Sequence, residues 1–94
     1  MANCLKFIAK EVVATPAAMA AFEKAKEAYG MYLTRHYSGD WGEIDADDAK
    51  YNDEHFDDQT CSLHSVFTLH DRTTIWIITE ADKSVTTIIM PSEY

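Results

Sequence analysis

The sequence predicts a small α+β domain in which N-terminal helices pack on a C-terminal three-stranded antiparallel β-meander. Two observations predict this fold class: apolar residues recur at helical spacing in the first half of the chain, and they alternate with polar residues in the last third. With 94 residues, of which 47% are hydrophobic, the chain can form one modest core. We therefore expect a single domain over residues 1–94, mainly helical in 1–58 and a sheet in 60–91.

The N-terminal part of the chain contains two helical patterns. Residues 5–13 carry an apolar i, i+3, i+4, i+7, i+8 stripe, which favours a helix, although an edge strand is also compatible with this stretch. Thr15 and Pro16 then have the residue types of an N-cap and of a first helical position. Helix-forming residues follow as far as Tyr37, and Gly30 within this pattern predicts either a helix end or a kink.

The last third of the chain has the pattern of three short strands. Residues 61–70 alternate strictly, and the segments 73–80 and 84–90 are rich in isoleucine and threonine, which suit a pleated sheet. Only a few residues separate consecutive segments. Connections this short join antiparallel neighbours, so the pattern predicts a meander.

The excess negative charge is concentrated in one segment, residues 39–58. This segment contains nine acidic residues and one basic residue, Lys50, for a local net charge of 1 − 9 = −8. The whole chain has 8 basic and 16 acidic residues, also −8, so the remainder sums to zero. Asp45 has the residue type of an N-cap, and we expect a surface helix over about residues 46–57 with Asp47 and Asp48 in its first turn.

Three interpretations of this helix are open: a solvated surface that gives solubility, a docking face for a basic protein, and a mimic of nucleic acid. A helix projects side chains three or four residues apart at about 5–6 Å, which is comparable in scale to successive phosphates on one strand. Such carboxylates could occupy a groove lined by Arg and Lys. We define the acidic face as Asp45, Asp47, Asp48, Asp53, Glu54, Asp57 and Asp58.

Charge and composition also limit the partners and the compartment. A net charge of −8 disfavours direct binding to nucleic acid or to an anionic membrane, and favours basic surfaces, cations or other proteins. No apolar run approaches the roughly 20 residues needed to cross a bilayer, and the charged N-terminus does not resemble a signal peptide. Cys4 and Cys61 have no paired spacing, so no disulfide framework is indicated. We expect a cytoplasmic protein without a membrane partner.

A calcium loop is not supported by the acidic segment. With Asp45 at the first ligand position, Lys50 falls where an EF-hand loop needs glycine, and Phe56 falls where it needs a bidentate glutamate. The pattern therefore fails at two required positions.

Zinc ligands could be sought in Cys61, His64 and His70, with His36 or His55 added from elsewhere in the chain. Alternation along a strand would place Cys61 and His64 on opposite faces, so joint coordination would need a bulge. Satisfied or exposed histidines are the more economical interpretation, and we expect neither a metal nor another cofactor.

An enzymatic alternative rests on His36, Arg72, Thr86 and Thr87. These residues could converge if the end of the helix that carries His36 meets the rim of the sheet, as in barnase-like, metal-independent ribonuclease toxins. A ribonuclease must hold a polyanion, however, and this chain has only eight basic residues. The threonines are also ordinary strand residues.

Several motifs resemble a family of short bacterial proteins from plasmids, phages and other mobile elements. The resemblance is carried by VATPAAM (13–19), by RHYSGDWG (35–42), by Asp48 and Asn52, and above all by WIITEADKSVTTIIMPSEY (76–94). Members are often labelled plasmid-related or restriction-system proteins, and the resemblance names a family without supplying an activity. The sequence departs from the family pattern at Lys83, where arginine is expected, and in its acidic residues 53–58.

The resemblance implies a setting in which small acidic inhibitors of host restriction or CRISPR systems occur, beside toxin and antitoxin components. We therefore expect a non-enzymatic interaction protein of a mobile element whose acidic face binds a basic surface on a nucleic-acid-binding defence protein. The ribonuclease toxin is one alternative. A structural homo-oligomer that pairs through an edge of the sheet is another.

Overall fold

The computed structural model describes residues 5–94, so Cys4 lies outside the described residues. These residues form a four-stranded sheet, three α-helices and a final 3-10 turn. In chain order the elements are β1 (Glu11–Ala14), α1 (Pro16–Ala25), α2 (Tyr29–Tyr37), α3 (Ala46–His55), β2 (Leu63–Thr68), β3 (Thr74–Thr79), β4 (Val85–Ile89) and the 3-10 turn Pro91–Glu93.

The predicted α+β class is confirmed, but the sheet is mixed. Strands β2, β3 and β4 form an antiparallel meander, and β1 adds to β4 in parallel, which gives the order β1-β4-β3-β2. The preference for a helix over residues 5–13 is wrong, because 11–14 form β1. The conformation of this segment is set by hydrogen bonds to the far end of the chain, such as that from Thr15 N–H to the Ile88 carbonyl at 3.1 Å. These bonds outweigh the local helical periodicity.

The start of α1 agrees with its predicted capping residues, whereas its end does not lie at Gly30. Thr15 Oγ1 accepts a hydrogen bond from Ala18 N–H at 3.1 Å, and Pro16 occupies the first turn. The helix ends at Lys26, which adopts a left-handed conformation with φ 59°. Gly30 lies inside α2 instead. The break between the two helices therefore precedes Gly30, and Lys26 supplies the left-handed conformation that a glycine often provides.

The core lies between α1, α2 and one face of the sheet. Its largest aromatic contacts join Phe22 to Tyr32 and Tyr32 to Phe67, with ring centroids 5.9 and 5.3 Å apart. The buried members of this core are Ala18, Phe22, Ala25, Tyr32, Phe67, Leu69, Ile75, Ile77 and Ile88.

The opposite face of the sheet, which we call the open face, has side chains that are mostly half-buried, including His64, Trp76 and Thr87. The C-terminal Tyr94 reaches this face and packs edge-on against Trp76, with centroids 5.2 Å apart.

The segment that enters α3 lies along the outer edge of β2. Val66 donates its N–H to the Trp41 carbonyl at 3.1 Å and accepts from Glu43 N–H at 2.7 Å. Gly42 lies between these two bonds with φ +74°, and a Cβ there would be 1.9 Å from the Val66 carbonyl oxygen. Only glycine fits this close approach, which fixes where the acidic segment meets the sheet.

Among residues 5–94, no helix is both long enough and apolar enough to cross a bilayer.

Candidate functional site

The acidic face is presented by α3 and the turn that follows it. The helix ends at His55, slightly before the predicted position 57, and Asp45 occupies the N-cap position without a capping hydrogen bond from its side chain. Asn52 is the buried residue of this helix, and its Nδ2 donates to the His64 carbonyl at 2.9 Å. This hydrogen bond to β2 therefore fixes which side of α3 faces the sheet and which side faces solvent.

Two members of the acidic face have structural roles. Asp53 Oδ1 accepts from the indole Nε1–H of buried Trp41 at 2.8 Å. Asp58 Oδ1 accepts from both the backbone N–H and the hydroxyl of Thr60, at 2.9 and 2.6 Å. The side-chain and then the backbone hydrogen bond from Thr60 lower the pKa of Asp58. These two carboxylates stabilise the segment that carries the others.

The other five members are exposed, and within the described part of the chain their carboxylates make no hydrogen bond or ion pair. We call Asp45, Asp47, Asp48, Glu54 and Asp57 the free carboxylates. Lys50 lies on the same helix and is also exposed. The free carboxylates are available to a partner without breaking an internal contact.

The first acidic residues of the segment, in contrast, are used by the fold. Asp40 pairs with Arg35 at 2.7 Å, and the hydrogen bond from Arg35 is the main reason that the pKa of Asp40 is lowered. Glu43 accepts from the Thr68 hydroxyl at 2.7 Å. Negative charge without a local partner is thus concentrated on α3 and its following turn.

A buried polar network surrounds His36, the central residue of the enzymatic alternative. The two ring nitrogens share hydrogen bonds with Ser65 Oγ and with Thr79 Oγ1, the latter at 2.8 Å. Thr79 continues to Thr86 at 2.8 Å, and Tyr37 donates to Thr86 at 3.0 Å. His36 is 0% exposed, and burial lowers its pKa to about 3. The ring is therefore neutral at physiological pH.

The four residues of the enzymatic alternative do not converge. His36 and Thr86 are linked through Thr79 inside the core, whereas Thr87 points to the open face. Arg72 lies in the turn that precedes β3, and Thr79 ends that strand. The length of β3, about 17 Å at 3.3 Å per residue, therefore separates Arg72 from the His36 network.

The residues of RHYSGDWG have contacts that explain them as part of the fold. Arg35 pairs with Asp40 and lies over the Phe67 ring at 4.6 Å. Ser38 donates its hydroxyl to the Thr34 carbonyl, and Gly39 has φ +86°. Together with the roles of the histidine, tyrosine, tryptophan and second glycine given above, these contacts account for the whole motif without a ligand.

Residues of the C-terminal motif, 76–94, also make contacts within the fold. Lys83 Nζ donates to the carbonyls of Asp58, Cys61 and Ala81 at 2.9, 3.1 and 2.9 Å. This lysine ties the turn after α3 to the β3–β4 turn. Glu93 Oε1 accepts from the Thr15 hydroxyl and so joins the C-terminus to the start of α1.

A small cavity of about 320 Å³ lies on the open face. Its lining comes from β3 and β4, from residues that flank β2 and β3, and from the C-terminal residue: Ser62, Ile78, Glu80, Thr87, Ile89 and Tyr94. Beside it, His64 Nε2 is buried with no hydrogen-bond partner among the described residues, and the ring packs edge-on to Trp76 at 4.7 Å. No local pattern of residues predicts this cavity, because Tyr94 reaches it only through the fold.

The zinc ligands considered from the sequence do not assemble as a group. His70 pairs with Glu27 at 2.7 Å beside the β2–β3 turn, and His64 lies on the open face. Instead, ligand atoms of His55, Asp58 and Cys61 all lie within 4.8 Å of one another. Their spacing, H-x2-D-x2-C, was the available sequence signal for this cluster.

Comparison of this chain with known proteins found no matching family model, no matching curated protein and no matching solved structure.

Proposed function

We propose that this chain is a non-enzymatic interaction protein of a bacterial mobile element, and that its acidic face binds a basic surface on a nucleic-acid-binding protein. The observation that carries the proposal is the set of five free carboxylates on one short helix and its following turn. The setting rests on the resemblance of the motifs to proteins of plasmids and phages.

Contacts that hold α3 and its following turn against the rest of the fold favour a docking role over solubility alone. Asn52 bonds to the backbone of β2, Asp53 bonds to the Trp41 indole, and Lys83 bonds to the backbone after α3. Because these contacts fix the helix, its carboxylates would lose little conformational freedom on meeting a partner. A segment that serves only solubility does not require a fixed orientation of its side chains.

Mimicry of nucleic acid is the specific form of docking that we propose. The free carboxylates would take the places of phosphates in a groove lined by Arg and Lys, where charge-assisted hydrogen bonds form. Binding of this kind should weaken steeply with salt, and duplex DNA should compete for the same partner surface.

The experiment compares two triple variants that change the net charge equally. Asp47→Asn, Glu54→Gln and Asp57→Asn neutralise three free carboxylates, whereas Glu11→Gln, Glu23→Gln and Glu80→Gln neutralise three exposed carboxylates elsewhere. Each tagged variant is used for capture from host lysate at low and high salt, and the captured protein is then titrated with the wild-type chain and with duplex DNA.

We expect capture at low salt, displacement by DNA, and a loss of affinity of about tenfold or more only in the first triple variant. Equal binding by the two triple variants would show that the acidic face is not the docking surface. Both variants should have unchanged circular dichroism spectra, since the altered side chains are exposed and make no hydrogen bond or ion pair among the described residues.

A structural homo-oligomer is a second candidate, favoured by the position of β1 at the edge of the sheet. Its Val12 and Val13 are 40% and 45% exposed, so an apolar edge is available for pairing with a second copy. Light scattering after size exclusion should then give twice the monomer mass for the wild type and the monomer mass for Val13→Lys. A monomer over the whole accessible concentration range would remove this candidate.

A further inference from the structure

Three side chains of different metal-ligating types meet where α3 turns toward β2. One ring nitrogen of His55, one carboxylate oxygen of Asp58 and Cys61 Sγ lie within 4.8 Å of one another, and all three residues are half-buried. Only Asp58 of the three belongs to the acidic face, and imidazole and thiol make the group different from a cluster of surface carboxylates. The partial exposure leaves an entry path for an ion.

The separation of two of the donors already matches tetrahedral zinc. With Zn–S of about 2.3 Å and Zn–O of about 2.0–2.1 Å, two ligand atoms of a tetrahedron lie about 3.5 Å apart. Cys61 Sγ and Asp58 Oδ2 are 3.6 Å apart. The third donor, a ring nitrogen of His55, lies within 4.8 Å of both.

The histidine and the backbone are positioned as a metal site requires. His55 Nδ1 is hydrogen-bonded to the Tyr51 carbonyl at 2.7 Å, which orients the ring and leaves Nε2 as the free nitrogen. Lys83 Nζ donates to the carbonyls of both Asp58 and Cys61, so the backbone that carries two donors is held by one cation. Asp58 Oδ1 is occupied by Thr60, which leaves Oδ2 directed to the thiol.

We propose that His55, Asp58 and Cys61 form a site for a divalent transition metal, with Zn²⁺ as the preferred ion. One nitrogen, one oxygen and one sulfur donor suit zinc, and do not suit Ca²⁺ or Mg²⁺, which take oxygen ligands. The Cys61 thiol loses its proton to solvent when the ion binds. Three protein ligands leave the fourth position to water or to a partner's side chain. This inference is independent of the proposed docking role.

The test is a titration of the purified, reduced full chain with Co²⁺, which reports thiolate coordination through a charge-transfer band in the near ultraviolet. We expect saturation at one equivalent, visible bands of tetrahedral intensity, and displacement of the Co²⁺ by Zn²⁺. Cys61→Ser should abolish the charge-transfer band. His55→Ala and Asp58→Asn should each weaken binding at least about tenfold, since even outer partners of a metal contribute that much.

Cys4→Ser and His70→Ala are the matched controls, and both should bind Co²⁺ like the wild type. The inference is overturned if no band appears at millimolar Co²⁺, if the band persists in Cys61→Ser, or if it disappears in Cys4→Ser. Because Asp58 also stabilises its turn, circular dichroism and the thermal midpoint are recorded for each variant. His55→Ala removes an imidazole at the end of a helix and keeps the test decisive if Asp58→Asn does not fold.

Discussion

His36 and Thr79 join α2 to β3 through a hydrogen bond of 2.8 Å inside the core. The histidine is completely buried and also bonds to Ser65. A neutral imidazole has one donor and one acceptor nitrogen, so two hydroxyl groups satisfy it fully. The ring therefore links a helix to the sheet, and the polar network substitutes for apolar packing at this end of the core.

Replacement of His36 by alanine should destabilise the fold strongly. The substitution leaves a cavity, removes the partner of the Ser65 hydroxyl and removes one of the two partners of the Thr79 hydroxyl, at a combined cost of about 3–5 kcal/mol. The free energy of unfolding, measured by urea denaturation, checks this. Thr87→Ala is the control, because Thr87 lies on the open face, and a change there should cost less than about 1 kcal/mol. Similar losses in the two variants would contradict the role assigned to the network.

The same histidine predicts acid sensitivity. Burial lowers its pKa from 6.5 to about 3, so below pH 6.5 the unfolded chain takes up a proton that the folded chain does not. The contribution to stability is complete above pH 6.5 and is lost as the pH falls toward 3, at up to about 1.4 kcal/mol per pH unit. Burial also lowers the pKa of His64, which acts in the same direction.

The measurement is urea denaturation at several pH values between about 7 and 5, for the wild type and for His36→Gln. As the pH falls from about 7 to 5, the free energy of unfolding of the wild type should decrease more steeply than that of the variant. The His36 ring signals in NMR spectra should not titrate over this range. Parallel slopes for the two proteins would show that His36 is not the group responsible.

Two glycines should respond in opposite ways to the same substitution. Gly42→Ala places a methyl group 1.9 Å from the Val66 carbonyl oxygen at φ +74°, and should cost about 2–5 kcal/mol. Gly30 lies in α2, and among the described residues no atom beyond its chain neighbours and its own helix backbone lies within 4 Å of an added Cβ. Gly30→Ala should therefore stabilise by about 0.5 kcal/mol. The thermal midpoints of the two variants measure both effects. If both midpoints shifted in the same direction, the different roles of Gly30 and Gly42 would be contradicted.

Lys83 should control the order of the turn after α3. Its ammonium group donates to three carbonyls, and Lys83→Met removes all three bonds while it keeps much of the aliphatic length. Bonds to a charged group contribute about 1.5–3 kcal/mol. We expect faster hydrogen exchange at the amides of Asp58 and Cys61, whose N–H groups belong to this turn. Unchanged exchange there would show that the turn is stable without the lysine.

The sequence predicted the elements whose signals are local. Alternation predicted β2, isoleucine-rich and threonine-rich composition predicted β3 and β4, and Thr15 with Pro16 predicted the start of α1. The β1 strand was only the alternative to a helix, because its pairing partner, β4, lies at the other end of the chain and four residues carry too little periodicity to compete with a helical pattern. Lys26 was missed as a helix terminator because a lysine in the left-handed region has no sequence signature.

The candidate site was predicted as a segment but not in its details. Composition placed the charge, yet it could not tell Asp53, which binds an indole, from Glu54, which is free. The difference depends on the Trp41 side chain, whose position is set by the turn at Gly42. The grouping of His55 with Cys61 likewise depends on how α3 ends, which residue types alone do not fix.

Adjacent acidic residues should therefore separate structural from binding roles. Asp53→Ala leaves the buried Trp41 indole N–H without its acceptor, and should cost about 1–3 kcal/mol. Glu54→Ala removes a free carboxylate and should change the free energy of unfolding by less than about 0.5 kcal/mol. Urea denaturation followed by tryptophan fluorescence measures both.

The same pair should behave differently in binding assays performed well below the unfolding midpoint. Glu54→Ala should weaken capture of a basic partner while the fold is unchanged, because its carboxylate has no internal role. Asp53→Ala should retain most of its affinity wherever it is folded, since in the wild type its carboxylate is already bonded to Trp41. If both variants lost stability equally and neither lost affinity, the division of the acidic face into structural and free carboxylates would be wrong.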